Sequence, residues 1–277
     1  MDLASEIACI VAAALAEDVG SGDRTALLTP PATQACAHVI CRSPATLAGR
    51  PWFDAVFHTL DSAVRIQWHV EEGSRVPANT RLCTLTGSAR NLLTGERAAL
   101  NFLQTLSAVA TATRTYVDAV AGTRAVILDT RKTLPGLRVA EKYAVRMGGG
   151  MNYRMGLYDA MLIKENHIAA AGSITAVLHE AQRIAPADIG IQVEIENLQQ
   201  LDEALAAGAT LILLDNMTAD QMRAAVTLTA GRAKLEASGG ITLENVRKIA
   251  ETGVDRISIG ALTKDIKAID LSMRFST

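Results

Sequence analysis

Residues 191 to 215 read IQVEIENLQQLDEALAAGATLILLD, and this stretch decides the fold. It begins with an apolar run, Ile191 to Ile195, continues with an amphipathic segment, Leu198 to Ala207, and ends with a second apolar run, Leu211 to Leu214. Gly208 follows the amphipathic segment, at the position where a glycine commonly ends a helix. A strand, a helix and a second strand in this order predict one unit of a parallel α/β sheet.

The same alternation extends over the whole chain beyond Gly122. A second amphipathic segment, Leu243 to Thr252, is also closed by a glycine, Gly253. The pattern predicts six strands: Ala125 to Leu128, Ala160 to Ile163, Ile191 to Ile195, Leu211 to Leu214, Lys234 to Ala237 and Arg256 to Ile259. On this pattern alone, a barrel of seven or eight strands and an open doubly wound sheet are both compatible with the sequence.

The first part of the chain has a different pattern. Met1 to Asp18 is an Ala-rich helical segment without the basic residues that begin a secretory signal. A long helix without proline is predicted from about Thr94 to Val120. Between them, segments of strand character are separated by Gly and Pro: Cys36 to Arg42, Arg65 to Val70 and Arg81 to Thr86. Such short segments with turns between them predict a small, mostly antiparallel layer.

Composition and charge narrow the function classes. The 277 residues are 49% hydrophobic but only 4% aromatic, which favours an α/β core of Ala, Leu, Ile and Val. The sequence contains no uninterrupted run of 18 apolar residues, so we do not expect a membrane span. The four cysteines lack metal-binding spacing, and we expect a reduced, cytoplasmic protein. The net charge of -2 gives no reason to expect a nucleic acid partner.

The charge is nevertheless uneven along the chain. Residues 124 to 154 carry seven basic and two acidic side chains, a local charge of +5. Such a basic region in an acidic protein favours a small anionic ligand, although solvated helix faces produce similar clusters. Arg138, Lys142 and Arg146 are spaced four residues apart, and we predict that they lie on one exposed helix face.

Polar residues follow nearly every predicted strand. In a parallel α/β barrel the carboxyl ends of the strands meet at one rim, and active sites are found there. The sequence therefore predicts a single site at that rim. Its members come from six segments: Asp129 to Lys132, Lys164 to His167, Glu194 to Glu196, Asp215 to Asn216, Ser238 to Gly240, and Gly260 to Ala261.

Glycines at the last two strand ends predict a phosphate site. Ser238-Gly239-Gly240 and Ile259-Gly260-Ala261 allow backbone N–H groups to approach an anion, with a helix N-terminus behind the first of them. Glu194 and Asp215 end neighbouring strands and are candidates to hold Mg²⁺ or ribose hydroxyls. The alternative for these carboxylates is a salt bridge to Lys164 or Arg131 inside the barrel.

Basic side chains converge on the same rim. Arginine forks match the oxygens of carboxylates and phosphates, so the ligand predicted from these residues is a small acid together with a phosphorylated compound. The rim candidates are Arg131, Lys132, Arg154 and Lys164, with Arg97 as a fifth candidate on the long helix. A lone histidine, His167, is more commonly a structural hydrogen-bonding residue than a proton donor.

Four segments of the chain resemble the quinolinate phosphoribosyltransferase family. They are LDTRKTLPG at residues 128 to 136, LIKENHI at 162 to 168, LLDN at 213 to 216, and the stretch from Gly95-Glu96-Arg97 to Gln104-Thr105-Leu106-Ser107. The resemblance implies an incomplete seven-stranded α/β barrel with an N-terminal α/β sandwich domain. We expect the sandwich domain over residues 1–110 and the barrel over 111–277, with a C-terminal helix from about 264 packing back on the first domain.

The resemblance also implies an activity. Members of the family transfer the phosphoribosyl group of phosphoribosyl pyrophosphate (PRPP) to quinolinate with loss of CO₂, giving nicotinate mononucleotide and pyrophosphate in NAD biosynthesis. They need Mg²⁺ and no organic cofactor. They form homodimers or larger homo-oligomers with shared active sites, so Arg97 would reach the substrate of a partner subunit.

Residue roles follow from the matching positions. The resemblance assigns Lys132, Glu194 and Asp215 to catalysis, and the two carboxylates also to Mg²⁺. It assigns substrate binding to Arg97, Thr130, Arg131, Lys132, Tyr153, Arg154, Lys164, Glu194 and Asp215. It assigns phosphate binding to Ser238, Gly239, Gly240, Ile259, Gly260 and Ala261. Tyr153 departs from the histidine that is common in the family, and it cannot carry that residue's positive charge.

Two other functions are compatible with this sequence. The first is a phosphoribosyltransferase of the same fold that acts on another acid, as in the molybdenum-operon relatives, and the Lys164-Glu165-Asn166-His167 segment argues against it. The second is a non-catalytic anion-binding or regulatory protein on a barrel of this type. The complete set of charged rim residues argues against that alternative.

Overall fold

A computed structural model of the protein describes residues 2–276, and its backbone forms two compact units. Of the described residues, the first unit contains 2–114, 133–149 and 262–276, and the second contains 115–132 and 150–261. The helices are α1 (Leu3–Val19), α2 (Arg50–Leu60), α3 (Ala89–Ala119), α4 (Arg138–Met147), α5 (Glu165–Ala171), α6 (Ile174–Ile184), α7 (Leu198–Ala206), α8 (Ala219–Thr229), α9 (Leu243–Ala250) and α10 (Ala261–Lys264). The strands are β1 (Gln34–Cys41), β2 (Ala45–Thr46), β3 (Arg65–Trp68), β4 (Arg75–Val76), β5 (Thr80–Ser88), β6 (Val126–Leu128), β7 (Ala160–Ile163), β8 (Gly190–Ile195), β9 (Leu211–Asp215), β10 (Lys234–Ser238), β11 (Arg256–Ser258) and β12 (Leu271–Phe275).

The first unit is built on an antiparallel sheet of four strands in the order β12-β1-β5-β3. Its few aromatic residues are concentrated on α2, where Trp52, Phe53 and Phe57 are fully buried. The rings of Phe53 and Phe57 meet edge to face, with centroids 5.1 Å apart. The antiparallel layer predicted from the sequence is therefore present.

The C-terminal segment differs from the prediction. We expected a helix from about residue 264, but the last helix ends at Lys264 and β12 pairs antiparallel with β1. Leu271 and Met273 are at least half-buried and lie on alternating positions, which is the period of a strand. The division into units also differs from a single boundary at residue 110, because α4 and the C-terminal strand β12 belong to the first unit.

A second prediction was wrong at Lys142. This residue was expected on an exposed face of α4 together with Arg138 and Arg146, but its side chain is fully buried. Ala140 and Ala144 of the same helix are buried as well. Because α4 is covered around most of its circumference, a spacing of four residues does not mark a solvent face here.

The second unit contains a parallel sheet of six strands in the order β6-β11-β10-β9-β8-β7. All six strands lie where the sequence predicted them, and the α/β fold class is confirmed. Next to β6, Met151 forms a single parallel bridge with Leu128. The seventh strand that the resemblance implies is therefore represented by one residue only. No described helix is long and apolar enough to cross a membrane.

Side-chain caps fix where the helices of this unit begin. The side chains of Ser173, Asn197 and Thr218 accept hydrogen bonds from backbone N–H groups in the first turns of α6, α7 and α8. Such caps satisfy N–H groups that have no partner within the helix. For α7 and α8 the capped helix start lies two or three residues after β8 and β9, which keeps the strand-to-helix connections short.

Candidate active site at the carboxyl ends of the barrel strands

A cavity of about 580 Å³ opens at the carboxyl ends of the parallel strands, and only residues of the second unit line it. Among its lining residues are these predicted from the sequence: Thr130, Arg131, Lys132, Tyr153, Arg154, Lys164, Glu194, Asp215, Ser238, Gly239 and Gly240. Asp129 and Asn216, which belong to the predicted strand-end segments, line it too, together with five further residues: Leu162, Gln192, Leu213, Glu236 and Ser258. We call this space the mouth cavity.

One wall of the mouth cavity carries an ion pair. Lys164 Nζ lies 2.7 Å from Glu194 Oε2 and 3.0 Å from Oε1. The Glu194 side chain is 11% exposed, whereas that of Lys164 is 44% exposed. The salt bridge considered as an alternative for Glu194 is therefore present, and it lies inside the cavity where a ligand would bind.

The second carboxylate lies on the neighbouring strand. Asp215 ends β9, and its Oδ2 accepts a hydrogen bond of 2.8 Å from Asn216 Nδ2. Among residues 2–276 no three His, Cys, Asp or Glu side chains are grouped closely enough to hold a metal alone. Two carboxylates are nevertheless the donor set that Mg²⁺ uses when substrate phosphates and water supply its other ligands.

A buried aspartate joins the two basic segments of the cavity. Asp129 is only 1% exposed, and its Oδ1 accepts a hydrogen bond of 3.0 Å from the backbone N of Tyr153. The backbone N of Lys132 in turn donates to Thr130 Oγ1 at 3.0 Å. The segment with Arg131 and Lys132 is thus held beside the segment with Tyr153 and Arg154.

Burial changes the protonation equilibria on this side of the cavity. The pKa of Tyr153 is raised to about 12, mainly by burial and in part by the nearby Glu236 carboxyl. Burial is also the main reason why the pKa of Arg154 is lowered, with a contribution from the neighbouring charge of Arg131. Tyr153 is therefore neutral at physiological pH, and the positive charge comes from the arginines and lysines.

The predicted glycine loop requires glycine for two reasons. Gly239 has a φ of +92°, and a Cβ atom at this position would lie 2.1 Å from Asn216 Oδ1. Asn216 itself has a φ of +53°, and its N donates to Ser238 O at 3.0 Å. The following residue, Gly240, also lines the cavity and lies close before α9, which begins at Leu243.

The segment after β11 lies beside the mouth cavity and does not line it. Ile259, Gly260 and Ala261 were expected to contact phosphate, but none of them lines the mouth cavity. Ile259 is buried, and its N donates to Leu128 O at 3.0 Å. A Cβ atom on Gly260 would lie 2.9 Å from Lys132 Cδ. Gly260 therefore packs directly against the Lys132 side chain.

Two other predicted residues also lie outside the cavity. Arg97 is exposed on α3 in the first unit, near Asp18 and Asp23. His167 Nδ1 accepts a hydrogen bond of 3.0 Å from the backbone N of Lys164, which closes the N-terminus of α5. His167 therefore has the structural role that was favoured for it.

Sequence reasoning overlooked the polar residues deep in the strands. Gln192 and Glu236 lie two residues before Glu194 and Ser238, and both are buried in the mouth cavity. Side chains two residues apart on a strand share a face. That alternation is a signal that could have found them, but they stand within apolar runs and were counted as strand interior.

The fold and the cavity define a class of protein: an α/β barrel with a cavity lined by basic side chains at the carboxyl ends of its strands. Models of two families match the chain, "Quinolinate phosphoribosyl transferase, N-terminal domain" over residues 23–107 and "Quinolinate phosphoribosyl transferase, C-terminal domain" over residues 109–274.

Individual relatives agree with these matches. The chain is 44% identical over 257 residues to the "Probable nicotinate-nucleotide pyrophosphorylase [carboxylating]" of Bacillus subtilis, covering 93% of this chain and 89% of the relative. It is 43% identical to the nicotinate-nucleotide pyrophosphorylase of Mycobacterium leprae, with 94% of each chain covered. A solved structure of the Francisella tularensis nicotinate-nucleotide pyrophosphorylase matches with a TM-score of 0.96 and 42% identity, covering 100% of this chain and 98% of that one. The protein belongs to the quinolinate phosphoribosyltransferase family.

Proposed function

We propose that the mouth cavity is the active site of this protein. The reaction is the transfer of phosphoribosyl from PRPP to quinolinate with loss of CO₂, as the family membership establishes. The observation that carries the assignment of the site is the presence of Arg131, Lys132, Arg154 and Lys164 in one cavity with a glycine loop. Both substrates are polyanions, and this cavity offers the matching charges.

The two substrates bind to different parts of the cavity. Quinolinate, a planar dicarboxylate, binds to the cations on the side of Arg131, Arg154 and Lys164, with Thr130 and Tyr153 as hydrogen-bond donors. The phosphates of PRPP bind to the backbone of Ser238 to Gly240 at the start of α9, and Lys132 contributes charge to the pyrophosphate. The position of Gly239, which a side chain would block against Asn216, supports this assignment.

The chemistry needs no protein nucleophile. The ring nitrogen of quinolinate attacks the anomeric carbon, the bond to pyrophosphate breaks, and positive charge develops on the ribose. Glu194 and Asp215 stabilise that charge electrostatically, whereas Lys132 and its neighbours stabilise the departing pyrophosphate. The N-alkylated ring then accepts the electron pair left by the departing CO₂, and a proton takes the place of the lost carboxyl group.

The two carboxylates are also suited to Mg²⁺. When bound, the ion neutralises pyrophosphate charge and orients PRPP. Glu194 and Asp215 would hold it together with substrate oxygens. For Glu194 this requires the ammonium group of Lys164, 2.7 Å away, to move or to share the carboxylate.

We further propose that the site is completed in a homodimer or a larger homo-oligomer. Arg97 is exposed in the first unit, outside the residues that line the mouth cavity. An arginine supplied by a second copy would add one more fork for the substrate carboxylates. Mixing inactive Arg97→Ala with inactive Arg154→Ala should then restore part of the activity. Failure to complement after confirmed subunit exchange would contradict a shared site.

A reducing compartment, the cytoplasm, is proposed from the cysteines. Cys9, Cys36, Cys41 and Cys83 are all free thiols. Burial raises the pKa of Cys41 and of Cys83, so these two remain uncharged and unreactive.

The test of the function is a stoichiometric assay. Quinolinate, PRPP and Mg²⁺ are mixed with the protein, and CO₂ and pyrophosphate are measured together. We expect equal molar release of both. Replacing quinolinate with nicotinate is the control, because a related enzyme for another acid would release pyrophosphate without CO₂. PRPP binding without any turnover would instead favour the non-catalytic alternative.

A further inference from the structure

Two polar side chains form a pair at the floor of the mouth cavity. Gln192 of β8 and Glu236 of β10 are 1% and 2% exposed, and Gln192 Nε2 donates to Glu236 Oε2 at 3.0 Å. The two strands lie on either side of β9, so the pair spans the barrel interior. Neither side chain has a part in the reaction as derived above.

One hydrogen-bond acceptor of this pair has no donor. Gln192 Oε1 is buried and accepts no hydrogen bond from any residue between 2 and 276. A buried acceptor without a donor costs about 1–3 kcal/mol. Since Gln192 lines the mouth cavity, a ligand bound there can supply the missing donor.

The chemistry of the two substrates identifies that donor. Quinolinate is a dianion at neutral pH and has no N–H or O–H group. The phosphates of PRPP are largely ionised, so its chief donors are the two hydroxyls of the ribose. Gln192 lies on the same strand face as Glu194, two residues deeper in the barrel, and therefore beside the carboxylate proposed for the ribose.

We propose that Gln192 Oε1 accepts a hydrogen bond from a ribose hydroxyl of PRPP, and that Glu236 is a positioning residue that holds the amide in this orientation. The inference rests on the proposed function of the mouth cavity. It adds a neutral ribose contact below the charged rim.

The environment of Glu236 is consistent with this role. Burial raises the pKa of its carboxyl, and the neighbouring Asp129 raises it further, whereas Gln192, Ser258 and Arg256 act in the opposite direction. A protonated carboxyl still accepts from Gln192 Nε2 through its carbonyl oxygen. The hydrogen bond from Gln192 Nε2 is therefore kept in either protonation state of Glu236.

Binding of PRPP and of its 2-deoxy and 3-deoxy analogues, with Mg²⁺ present, tests the contact. We expect the wild-type protein to lose about tenfold in affinity for one of the two analogues. Gln192→Met, which keeps the volume but lacks the amide, should bind PRPP about tenfold more weakly and should not distinguish that analogue from PRPP. Quinolinate affinity should be unchanged.

Three results would overturn the inference: PRPP affinity equal to wild type in Gln192→Met, an undiminished deoxy effect in that variant, or a loss of quinolinate affinity in its place. The last result would mean that the amide is turned and donates to a carboxylate. If Gln192→Met does not fold, Gln192→Asn serves the same comparison, because it draws the oxygen back by one methylene group.

Glu236 is tested through the amide that it holds. Glu236→Gln retains an acceptor for Gln192 Nε2 and should keep the KM for PRPP near wild type, whereas Glu236→Leu should raise it about tenfold with a smaller change in kcat. Equal effects of both substitutions would contradict the positioning role. Wild-type turnover on quinolinate is measured first: its absence refutes the function of the site, whereas turnover without the PRPP effects refutes only this inference.

Discussion

Lys164 Nζ and the Glu194 carboxylate form a two-pronged ion pair of 2.7 and 3.0 Å within the cavity that is proposed to bind both substrates. The pair places a cation and an anion where a dicarboxylate and a ribose have to meet. It keeps the poorly exposed Glu194 compensated before any ligand arrives. When the substrates bind, Lys164 can pair with a substrate carboxylate in place of Glu194, and Glu194 can face the ribose in place of Lys164.

Replacing Lys164 with Met should lower turnover by at least about a hundredfold, because a cation that faces the reacting groups is lost. Because Glu194 is only 11% exposed and loses its cation, the free energy of unfolding should also fall, by about 1–3 kcal/mol. Lys234→Met is the matched control: Lys234 is 59% exposed and pairs with Asp255 at 3.1 Å, outside the mouth cavity. Steady-state kinetics and denaturant unfolding of both variants check the prediction, and equal kinetic effects would contradict it.

Gly239→Ala should weaken PRPP binding and destabilise the protein. The left-handed backbone conformation alone costs about 1–2 kcal/mol for a residue with a Cβ atom, and contact with Asn216 adds to this. Gly231→Ala separates the two effects, because Gly231 has a φ of +78° with no atom near its Cβ position. The KM for PRPP and the unfolding midpoint should change in Gly239→Ala, and only the midpoint in Gly231→Ala.

Asp129 should prove important for the basic side of the cavity although it is almost inaccessible. Asp129→Ala removes the acceptor for the backbone N of Tyr153 and should cost about 1–3 kcal/mol in the free energy of unfolding, with a marked loss of kcat/KM for quinolinate. Asp129→Asn keeps an acceptor oxygen and should retain more of both. An unchanged kcat/KM in the alanine variant would show that Arg131 and Arg154 do not need this link.

Glu141 should make stability depend on pH. Burial raises its pKa to about 7, against about 4.3 for an exposed glutamate. Between these values the folded protein retains a proton that the unfolded chain releases. The contribution is therefore complete below about pH 4.3 and is lost as the pH rises towards 7, by up to about 3 kcal/mol in all.

Glu141→Gln should remove this dependence while keeping an acceptor for the backbone N of Leu134. The free energies of unfolding of wild type and variant are compared at pH 5 and pH 8. We expect the variant to gain relative to wild type at the higher pH. A constant difference between the two proteins would contradict the shifted pKa.

The strands and the rim were predictable because they depend on local signals. The apolar runs such as Ile191 to Ile195 mark the strands, and the polar residues that follow them reach one rim by the geometry of parallel sheets. The choice of quinolinate depended instead on the resemblance of whole segments to a family.

The remaining features depend on contacts between residues far apart in the chain. The burial of Lys142 depends on what covers α4, and the strand at Leu271–Phe275 depends on β1 as its partner. The floor pair of Gln192 and Glu236 is an intermediate case. Strand alternation places each residue on the inner face, but only the order of the strands, with β8 and β10 on either side of β9, brings them within hydrogen-bonding distance.

The pairing of β12 with β1 has a consequence for synthesis on the ribosome. The sheet of the first unit contains a strand that is translated only after the whole second unit, so β1 is left with an open edge while the barrel segments emerge. The barrel can fold first, whereas the N-terminal sheet must wait for Leu271–Phe275 to be released. A fragment that ends at residue 110 would therefore expose a bare strand edge and be prone to aggregation.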